Sequence, residues 1–290
     1  MSGSGRGRRI LIVNADDYAL TAGVSRAILH AHRAGIVTST SVLALGPAYE
    51  QSVPALRDAG TIGTGAHLAA VGEDPPLLTA REIPTLVDRR GRLRLSWRQL
   101  LALVAARRVD LDDLRREFAA QLDRLRTSGL TLTHVDTHQH VHLWPPIAAM
   151  VLELAAAAGI PSVRVTRSAA RGPIGITVRR LAARLEAAAD AANIRHPQGA
   201  AGLDEAGGMT LARLITVIAR LGASGCATAE IGVHPGEAGD PALARYRWGY
   251  RWADELAALT APEAREAVTN AGFELGTFAD LPAAAEAATS

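Results

Sequence analysis

Short apolar stretches alternate with segments of helical periodicity, and this alternation constrains the fold of the chain more than any other feature. Apolar runs at 10–13, 37–45 and 62–68 have the length of strands, and the helical patterns between them end at Gly35 and Gly60. Repetition of a strand, a helix and another strand favours parallel pairing, because each helix returns the chain across the sheet. The expected fold class is therefore α/β.

The second half of the chain continues the alternation. Leu111, Leu114 and Phe118 recur at helical spacing, and a predicted strand at 130–135 follows them. The other predicted elements are helices at 147–158, 174–192, 211–221 and 262–271 and strands at 162–165, 227–233 and 273–278. About seven βα units without a glycine-rich phosphate loop favour a distorted (β/α) TIM-like barrel over a dinucleotide-binding sheet.

Two internal stretches interrupt this alternation. Segments 70–109 and 196–209 are too long for ordinary loops, and we expect both to form insertions that border the active site. A disordered insertion is the alternative reading, chiefly for the second segment. Residues 1–9 are expected to be a flexible end and residues 282–290 a frayed, alanine-rich tail, so that 1–290 forms a single domain.

Composition excludes several classes of function. The chain is 48% hydrophobic and 21% charged, which is typical of a globular protein, and its 31 basic and 29 acidic residues form no block that would indicate nucleic-acid binding. No run approaches the roughly 18 apolar residues of a membrane span, and the chain starts without the apolar core of a secretory signal, so a cytoplasmic enzyme is expected. The single cysteine, Cys226, excludes an internal disulfide and limits any metal site to histidine and carboxylate ligands.

A histidine-rich motif lies at 133–142. Every second position is a histidine or an aspartate, and in an extended chain all five would project from one face: His134, Asp136, His138, His140 and His142. Imidazole is a common ligand for zinc and similar ions, and a neighbouring carboxylate supplies a further ligand or fixes the ring tautomer. A histidine-rich surface turn is the alternative, but the strand-like residues before the motif favour a metal site.

Paired carboxylates follow the first predicted strand. Asp16 and Asp17 stand where a barrel places catalytic groups, at the C-terminal end of a strand. One aspartate of such a pair can bind a metal ion while the other takes a proton from water. Capping of the helix that begins near Thr21 is the alternative role.

Two further strand ends carry histidines at the same expected rim. His67 ends the predicted strand at 62–68, so Asp17, His67 and His138 are expected to converge on one ion and leave it an open position, which is typical of a catalytic metal site. His234 follows the strand at 227–233 and is a candidate proton donor to a leaving group. Glu230 or Asp136 is its expected orienting partner. A histidine before a Pro-Gly turn without a catalytic role is the alternative.

Together these motifs resemble the YdjC-like carbohydrate deacetylases, whose type members remove acetyl groups from chitooligosaccharides. The resemblance rests on segments 13–18, 35–40, 65–68, 133–142, 230–236, 259–263 and 272–275. It implies a distorted (β/α) barrel and one divalent ion, zinc or magnesium, held by one aspartate and two histidines, which correspond here to Asp17, His67 and His138. Asp16 corresponds to the general base, and His234 is our assignment for the acid.

The resemblance also suggests residues for substrate contact and support of the site. Arg164 is a candidate substrate contact and Arg167 a weaker one, while Asp136, His140 and Glu230 are expected to bind substrate or support the metal ligands. Two pairs depart from the family pattern: Tyr18-Ala19 stands where Phe-Gly is usual, and Leu68-Ala69 where Leu-Thr is common. We expect these positions to reshape the pocket and so to affect the choice of substrate.

The expected activity is removal of an N-acetyl group from an amino sugar or a sugar-bearing metabolite. Activity as another metal-dependent hydrolase on the same barrel, such as a phosphoesterase, is an open alternative. Barrels of that kind tend to carry His-x-His on the first strand, where this chain has Asp16 and Asp17. A non-catalytic carbohydrate-binding protein also stays open. Trp248, Tyr250 and Trp252 are predicted to line either the pocket or a contact in a homo-oligomer.

Overall fold

A computed structural model describes residues 8–283 of the chain, and its centre is a parallel sheet. The strands are β1 (Ile10–Tyr18), β2 (Ser39–Val42), β3 (Gly63–Leu68), β4 (Leu132–Thr137), β5 (Gly199–Ala201), β6 (Thr228–Val233) and β7 (Glu274–Leu275). They lie in the order β4-β3-β2-β1-β6-β5, and β7 also pairs with β1. Every pairing is parallel, which confirms the α/β class.

Helices follow most of the strands and pack against the sheet. They are α1 (Ala22–Ala34), α2 (Tyr49–Ala59), α3 (Trp97–Ala105), α4 (Leu111–Thr127), α5 (Pro145–Ala158), α6 (Pro173–Ala191), α7 (Leu211–Ala223), α8 (Trp252–Thr260) and α9 (Pro262–Asn270). In α1, Val24, Ile28 and Ala31 recur at one-turn spacing and are fully buried. The side chain of Thr21 accepts a hydrogen bond from the Val24 amide and caps α1, so the helix does not use Asp16 or Asp17 as its cap.

Backbone bridges join the two edges of the sheet. The Val135 amide in β4 donates to the Ser162 carbonyl at 3.0 Å, and the Val163 amide donates to the Arg195 carbonyl at 2.9 Å. Arg195 lies just before β5, so the segment around Val163 bridges β4 and the chain entering β5. The sheet therefore curls into a distorted barrel, as predicted, although the strand expected at 162–165 is present only as isolated bridges.

Several elements differ from the prediction. β4 runs two residues further than expected, to Thr137, which places Asp136 within the strand. β5 lies inside segment 196–209, and α3 inside segment 70–109, so both predicted insertions contain regular structure. β5 escaped prediction because Gly-Ala-Ala lacks the β-branched and aromatic residues by which strands are recognised.

The chain start is better ordered than expected at Arg9. Its guanidinium donates to the carbonyls of Cys226, Ala271 and Gly222 at 3.0–3.1 Å and lies over the Phe273 ring. The flexible end predicted at 1–9 therefore does not extend to Arg9, while positions 1–7 and 284–290 of the predicted ends lie outside the described residues. Within residues 8–283, no helix has both the length and the apolar character needed to cross a bilayer.

Candidate metal centre

The end of β1 contains an irregularity that positions both aspartates. Ala15 pairs with Thr40 and Tyr18 with Val42, so β1 has one more residue than β2 between these points. Asp17 has a left-handed backbone conformation with φ 65°. Neighbouring residues of a regular strand point to opposite faces, whereas this bulge allows the Asp16 and Asp17 side chains to line the same cavity.

Asp17, His67 and His138 converge from three strand ends, as the sequence predicted. Asp17 Oδ1 lies 3.4 Å from His67 Nε2 and 3.1 Å from His138 Nδ1, and the two ring nitrogens are 3.4 Å apart. We call these three residues the ligand triad. Ligand bonds of about 2.0–2.1 Å at tetrahedral angles require donor atoms to lie about 3.3 Å apart, so the spacing fits a single small divalent ion.

A hydrogen bond orients His67 within the triad. His67 and Asp136 are paired neighbours on β3 and β4, and His67 Nδ1 lies 2.5 Å from Asp136 Oδ1. With its proton on Nδ1, the ring presents a lone pair at Nε2 toward the centre of the triad, which is the arrangement found behind many metal-bound histidines. Asp136 is fully buried and also accepts from the Ser41 hydroxyl at 2.7 Å.

The charges at the triad are those of a cation site. Burial opposes ionisation of Asp17, but the His138 and His67 rings outweigh it and hold the pKa of this carboxyl well below its usual range. Burial likewise opposes protonation of His67, yet Asp136, Asp17 and Asp16 raise the pKa of His67 to about 10. The carboxylates thus favour a positive charge on the His67 imidazole, and the same negative charges would attract a divalent ion.

Arg164 lies beneath the site and joins three carboxylates. Its guanidinium donates to both oxygens of Asp16 at 2.6 and 2.7 Å, to Glu230 at 2.6 Å, and lies 2.8 Å from Asp136. Only 3% of Arg164 is exposed and it does not line the cavity, so the structure places it behind Asp16 rather than against a substrate. Arg167 pairs with Glu186 and is likewise absent from the cavity lining.

A second group of possible ligands is less suited to a cation. Oxygens of Asp16 and Asp136 lie within 4.8 Å of a His67 ring nitrogen. Arg164 already occupies both carboxylates, and its positive charge would oppose an ion between them. The ligand triad is therefore the better metal site among the described residues.

Glu230 gives the site a pH-dependent contribution to stability. Burial raises the pKa of Glu230 to about 7, with Arg164 opposing this effect and Asp16 and Asp136 adding to it. In the unfolded chain the reference pKa of this carboxyl is 4.5. Between pH 4.5 and 7, the folded protein therefore binds more protons at Glu230 than the unfolded chain does. Stability from this residue is present below pH 4.5 and is lost as the pH rises through 7.

We expect Glu230→Gln to weaken this dependence, because glutamine can still accept from Arg164 but does not titrate. The free energy of unfolding, measured with urea from pH 4.5 to 7.5, should fall less with rising pH than in the parent protein. Glu266→Gln removes an exposed carboxylate and should leave the parent profile unchanged. Equal profiles for Glu230→Gln and the parent would contradict the assignment.

His234 lies beside Asp16, and the prediction that Glu230 or Asp136 orients it is wrong. Its Nε2 is 3.8 Å from Asp16 Oδ2, while Glu230 and Asp136 are bound to Arg164 instead. The His234 backbone is positioned by Glu255, a fully buried carboxylate on α8 that accepts from the His234 amide at 2.6 Å. Glu255 was not predicted, because no helix was predicted at α8, although Trp252, Leu256 and Leu259 recur there at helical spacing.

The histidine motif does not stay extended. After His138 the chain turns into a 3-10 segment, and Gln139 and His140 have φ values of 53° and 55°. The predicted single face therefore ends with the strand at Thr137. His142 contacts the Thr137 hydroxyl and the Arg164 carbonyl, whereas His140 lines the cavity and contacts Thr166.

His134 also lies away from the cavity, in the core. Its ring stacks on Phe278 with centroids 3.8 Å apart, and its Nε2 lies 3.1 Å from the Ser41 hydroxyl. Burial lowers the pKa of His134 to about 3, so the ring is neutral. A Cβ on Gly65, its neighbour on β3, would come within 2.3 Å of this ring, which explains the glycine in the predicted motif.

The departures from the family pattern do not reach the pocket. Tyr18 is fully buried in the core and donates its hydroxyl to the Ser52 carbonyl at 2.8 Å. Ala19 has φ 76°, a conformation in which glycine has no steric cost. Leu68 and Ala69 are buried, and none of the four lines the cavity, although Ala69 borders a small void together with His138 and Trp248. An effect of these positions on the choice of substrate stays a prediction.

The ligand triad opens into a cavity of about 700 Å³. Asp16, His140 and His234 line the cavity with the triad, and Trp248 and Tyr250 add aromatic faces beside it. Trp248 packs on the His138 ring at 5.2 Å, and Glu73 accepts its indole N–H at 3.1 Å. Two of the three predicted aromatics therefore face the cavity, whereas Trp252 is buried behind them.

Both long segments contribute to this cavity. Trp97 and Leu101 from 70–109 line it, as do Leu203, Asp204 and Ala206 from 196–209. Gln139 anchors the first segment, because its side chain accepts from the Trp97 amide at 2.9 Å and donates to the Leu95 carbonyl at 3.1 Å. Gln139 was not predicted to have a role, because the anchor is a contact between distant segments.

Comparisons with known proteins identify the family. A family model described as YdjC-like protein matches residues 10–270. A protein named carbohydrate deacetylase from Geobacillus stearothermophilus is 32% identical over 274 residues, which cover 94% of this chain and 98% of that protein. A protein named chitooligosaccharide deacetylase from Salmonella paratyphi B is 29% identical over 94% of this chain and 99% of that protein.

Two further matches differ in extent. A carbohydrate deacetylase from Brevibacillus brevis is 37% identical over 151 residues, and this match spans 52% of the chain and 57% of that relative. A crystal structure of a protein from Enterococcus faecalis V583 has the same fold, with a TM-score of 0.78, 24% identity and coverage of 94% of this chain and 98% of that chain. The family model and the Geobacillus relative both span most of the chain, and it belongs to the YdjC-like protein family.

Proposed function

We propose that this protein is a metal-dependent hydrolase that removes the N-acetyl group from an amino sugar. The observation that carries the proposal is the convergence of Asp17, His67 and His138 at 3.1–3.4 Å inside a cavity that Asp16 and His234 also line. Relatives over nearly the whole chain are named carbohydrate and chitooligosaccharide deacetylases, which supports the same class of substrate.

The ligand triad would hold zinc or magnesium, since imidazole and carboxylate ligands suit several divalent ions. When bound, such an ion polarises a carbonyl oxygen and lowers the pKa of water. Three protein ligands would not complete the coordination of such an ion and would leave a position for water or substrate. Asp16 and His234 line the same cavity as the triad.

Asp16 takes the proton of the attacking water in this proposal. Burial opposes its ionisation, but Arg164 and His67 lower the pKa of Asp16, so the carboxylate is ionised, as a proton acceptor must be. Arg164 and Asn14 hold the carboxylate through three hydrogen bonds of 2.6–2.8 Å, which fixes its direction. A base that is held in place contributes on the order of a hundredfold or more to the rate.

His234 protonates the amine that leaves. It lines the cavity beside Asp16, and its Nδ1 is a buried nitrogen without a hydrogen-bonding partner among the described residues. Protonation of the nitrogen makes the amine a good leaving group when the C–N bond breaks. His140 and the faces of Trp248 and Tyr250 would contact the sugar, since they line the cavity around the triad.

The direct test is acetate release from a panel of N-acetylated amino sugars by protein loaded with zinc or magnesium. We expect acetate release that falls at least about a hundredfold after chelation and returns when the ion is restored. A phosphate monoester should give no comparable release of phosphate. Hydrolysis of the phosphate ester without acetate release would overturn the proposal in favour of a phosphoesterase.

A further inference from the structure

One side of the cavity is apolar well beyond the metal centre. The side chains that form it come from α3, from the start of α5 and from the first half of α6: Trp97, Leu101, Trp144, Ile174, Val178 and Leu181. We call these six residues the apolar wall. It is continuous with the ligand triad, because one cavity of about 700 Å³ is lined by both.

Helix α6 directs its apolar stripe into this cavity. Ile174, Val178 and Leu181 have the spacing of one helix face, and all three line the cavity. Ile174 is 68% exposed, the most exposed of the large apolar residues identified in the described chain. Leu101, Trp144, Val178 and Leu181 also pack against the hydrophobic core, whereas Ile174 and Trp97 extend the wall beyond it, with 68% and 40% of their surfaces exposed. Exposed apolar surface that is continuous with the ligand triad is typical of a ligand-binding site.

The polar groups along the same wall already have partners. Gln139 hydrogen-bonds the backbone at Leu95 and Trp97, and the Thr177 hydroxyl donates to the Pro173 carbonyl at 2.9 Å. Ser168 donates to Asp204 at 2.7 Å, and Asp204 also accepts from the Ala169 amide. These contacts use part of the hydrogen-bonding capacity along the wall, and its other side chains are apolar. A second sugar ring placed here would therefore recover fewer of the hydrogen bonds that it loses to water, which is unfavourable.

We propose that the substrate is an N-acetylated amino sugar joined to an apolar aglycone, and that the aglycone lies against the apolar wall. This inference rests on the proposed deacetylase function and defines its substrate class. The sugar occupies the polar end, beside Asp16, His140, Trp248 and Tyr250. The aglycone exchanges water for the exposed carbons of Trp97, Ile174 and Val178, which is the exchange that drives apolar binding.

The test compares three substrates with the metal-loaded protein: octyl and methyl 2-acetamido-2-deoxyglucosides and N,N′-diacetylchitobiose. We expect kcat/KM for the octyl glycoside to exceed that of the other two by at least about tenfold. Val178→Asp should bring the octyl-to-methyl ratio close to one, because a carboxylate in the wall opposes the alkyl chain. Ile176→Asp is the matched control, since this exposed residue of α6 does not line the cavity and its variant should keep the parent ratio.

A binding measurement separates this inference from the deacetylase function. Calorimetry on metal-free protein should give tighter binding of the octyl than of the methyl glycoside, and Val178→Asp should abolish the difference. Acetate release with equal kcat/KM for all three substrates would overturn the apolar aglycone and leave the deacetylase intact. Octyl selectivity in binding without any acetate release would refute the deacetylase and support the wall as a binding site, whereas equal binding would overturn the wall as well.

Discussion

His138→Ala is expected to lose most of its bound metal. The His138 Nδ1 atom is one of the three protein donors in the ligand triad and lies 3.1–3.4 Å from the other two. Loss of an outer partner of a metal ligand already weakens binding by about 10–100-fold, so loss of a ligand itself should weaken binding by at least about a hundredfold. Elemental analysis and competition with a chromophoric chelator measure this change directly.

A histidine two residues away provides the matched control. His140 belongs to the same motif and lines the same cavity, but it lies outside the ligand triad. His140→Ala should therefore keep the metal content of the parent. A thermal melt adds a second readout, because added metal should raise the Tm of the parent and of His140→Ala but not that of His138→Ala. Equal metal content in both variants would remove His138 from the site.

Asp16→Asn should retain the metal and lose turnover. The amide has the size of the carboxylate but cannot accept a proton, so we expect kcat for acetate release to fall by about a hundredfold or more. Asp16 is not in the ligand triad, and Arg164 keeps Asp136 and Glu230 as partners, so the folded site should persist. Measurement of kcat beside elemental analysis on the same preparation separates the two effects.

The matched control for this variant is another carboxylate in the cavity. Asp204 lines the cavity wall but contacts Ser168 and the Ala169 amide rather than the triad. Asp204→Asn should keep kcat near that of the parent on a methyl glycoside. If Asp16→Asn keeps full activity while its metal content is normal, another group must act as the base.

The positions of the ligand triad were predictable because parallel strands end at one rim. Asp17 and His67 lie at the ends of β1 and β3 and His138 directly follows β4, and polar residues at the C-terminal ends of barrel strands share one space. The alternation of apolar runs with helical patterns likewise indicated a parallel sheet. These predictions depend on local residue patterns, which the sequence contains directly.

The parts that escaped prediction depend on contacts between distant segments. The turn after His138 was read as extended because an alternating polar pattern does not reveal the left-handed backbone of Gln139 and His140. Arg164 was expected to contact substrate because its segment resembles one that carries pocket arginines in related chains. Its partners Asp16 and Glu230 lie far away in the sequence, so the local pattern did not reveal the pairing. Charge pairing of this kind becomes visible only once the strand order is known.

The most direct test of the ligand triad is a crystal structure of the zinc-loaded protein with anomalous data at the zinc absorption edge. We expect one anomalous peak about 2.0–2.2 Å from Asp17 Oδ1, His67 Nε2 and His138 Nδ1. No atom of Arg164 should lie within ligand-bond distance of this peak. A peak between Asp16 and Asp136 instead, or no peak at the triad at saturating zinc, would show that the triad is not the metal site.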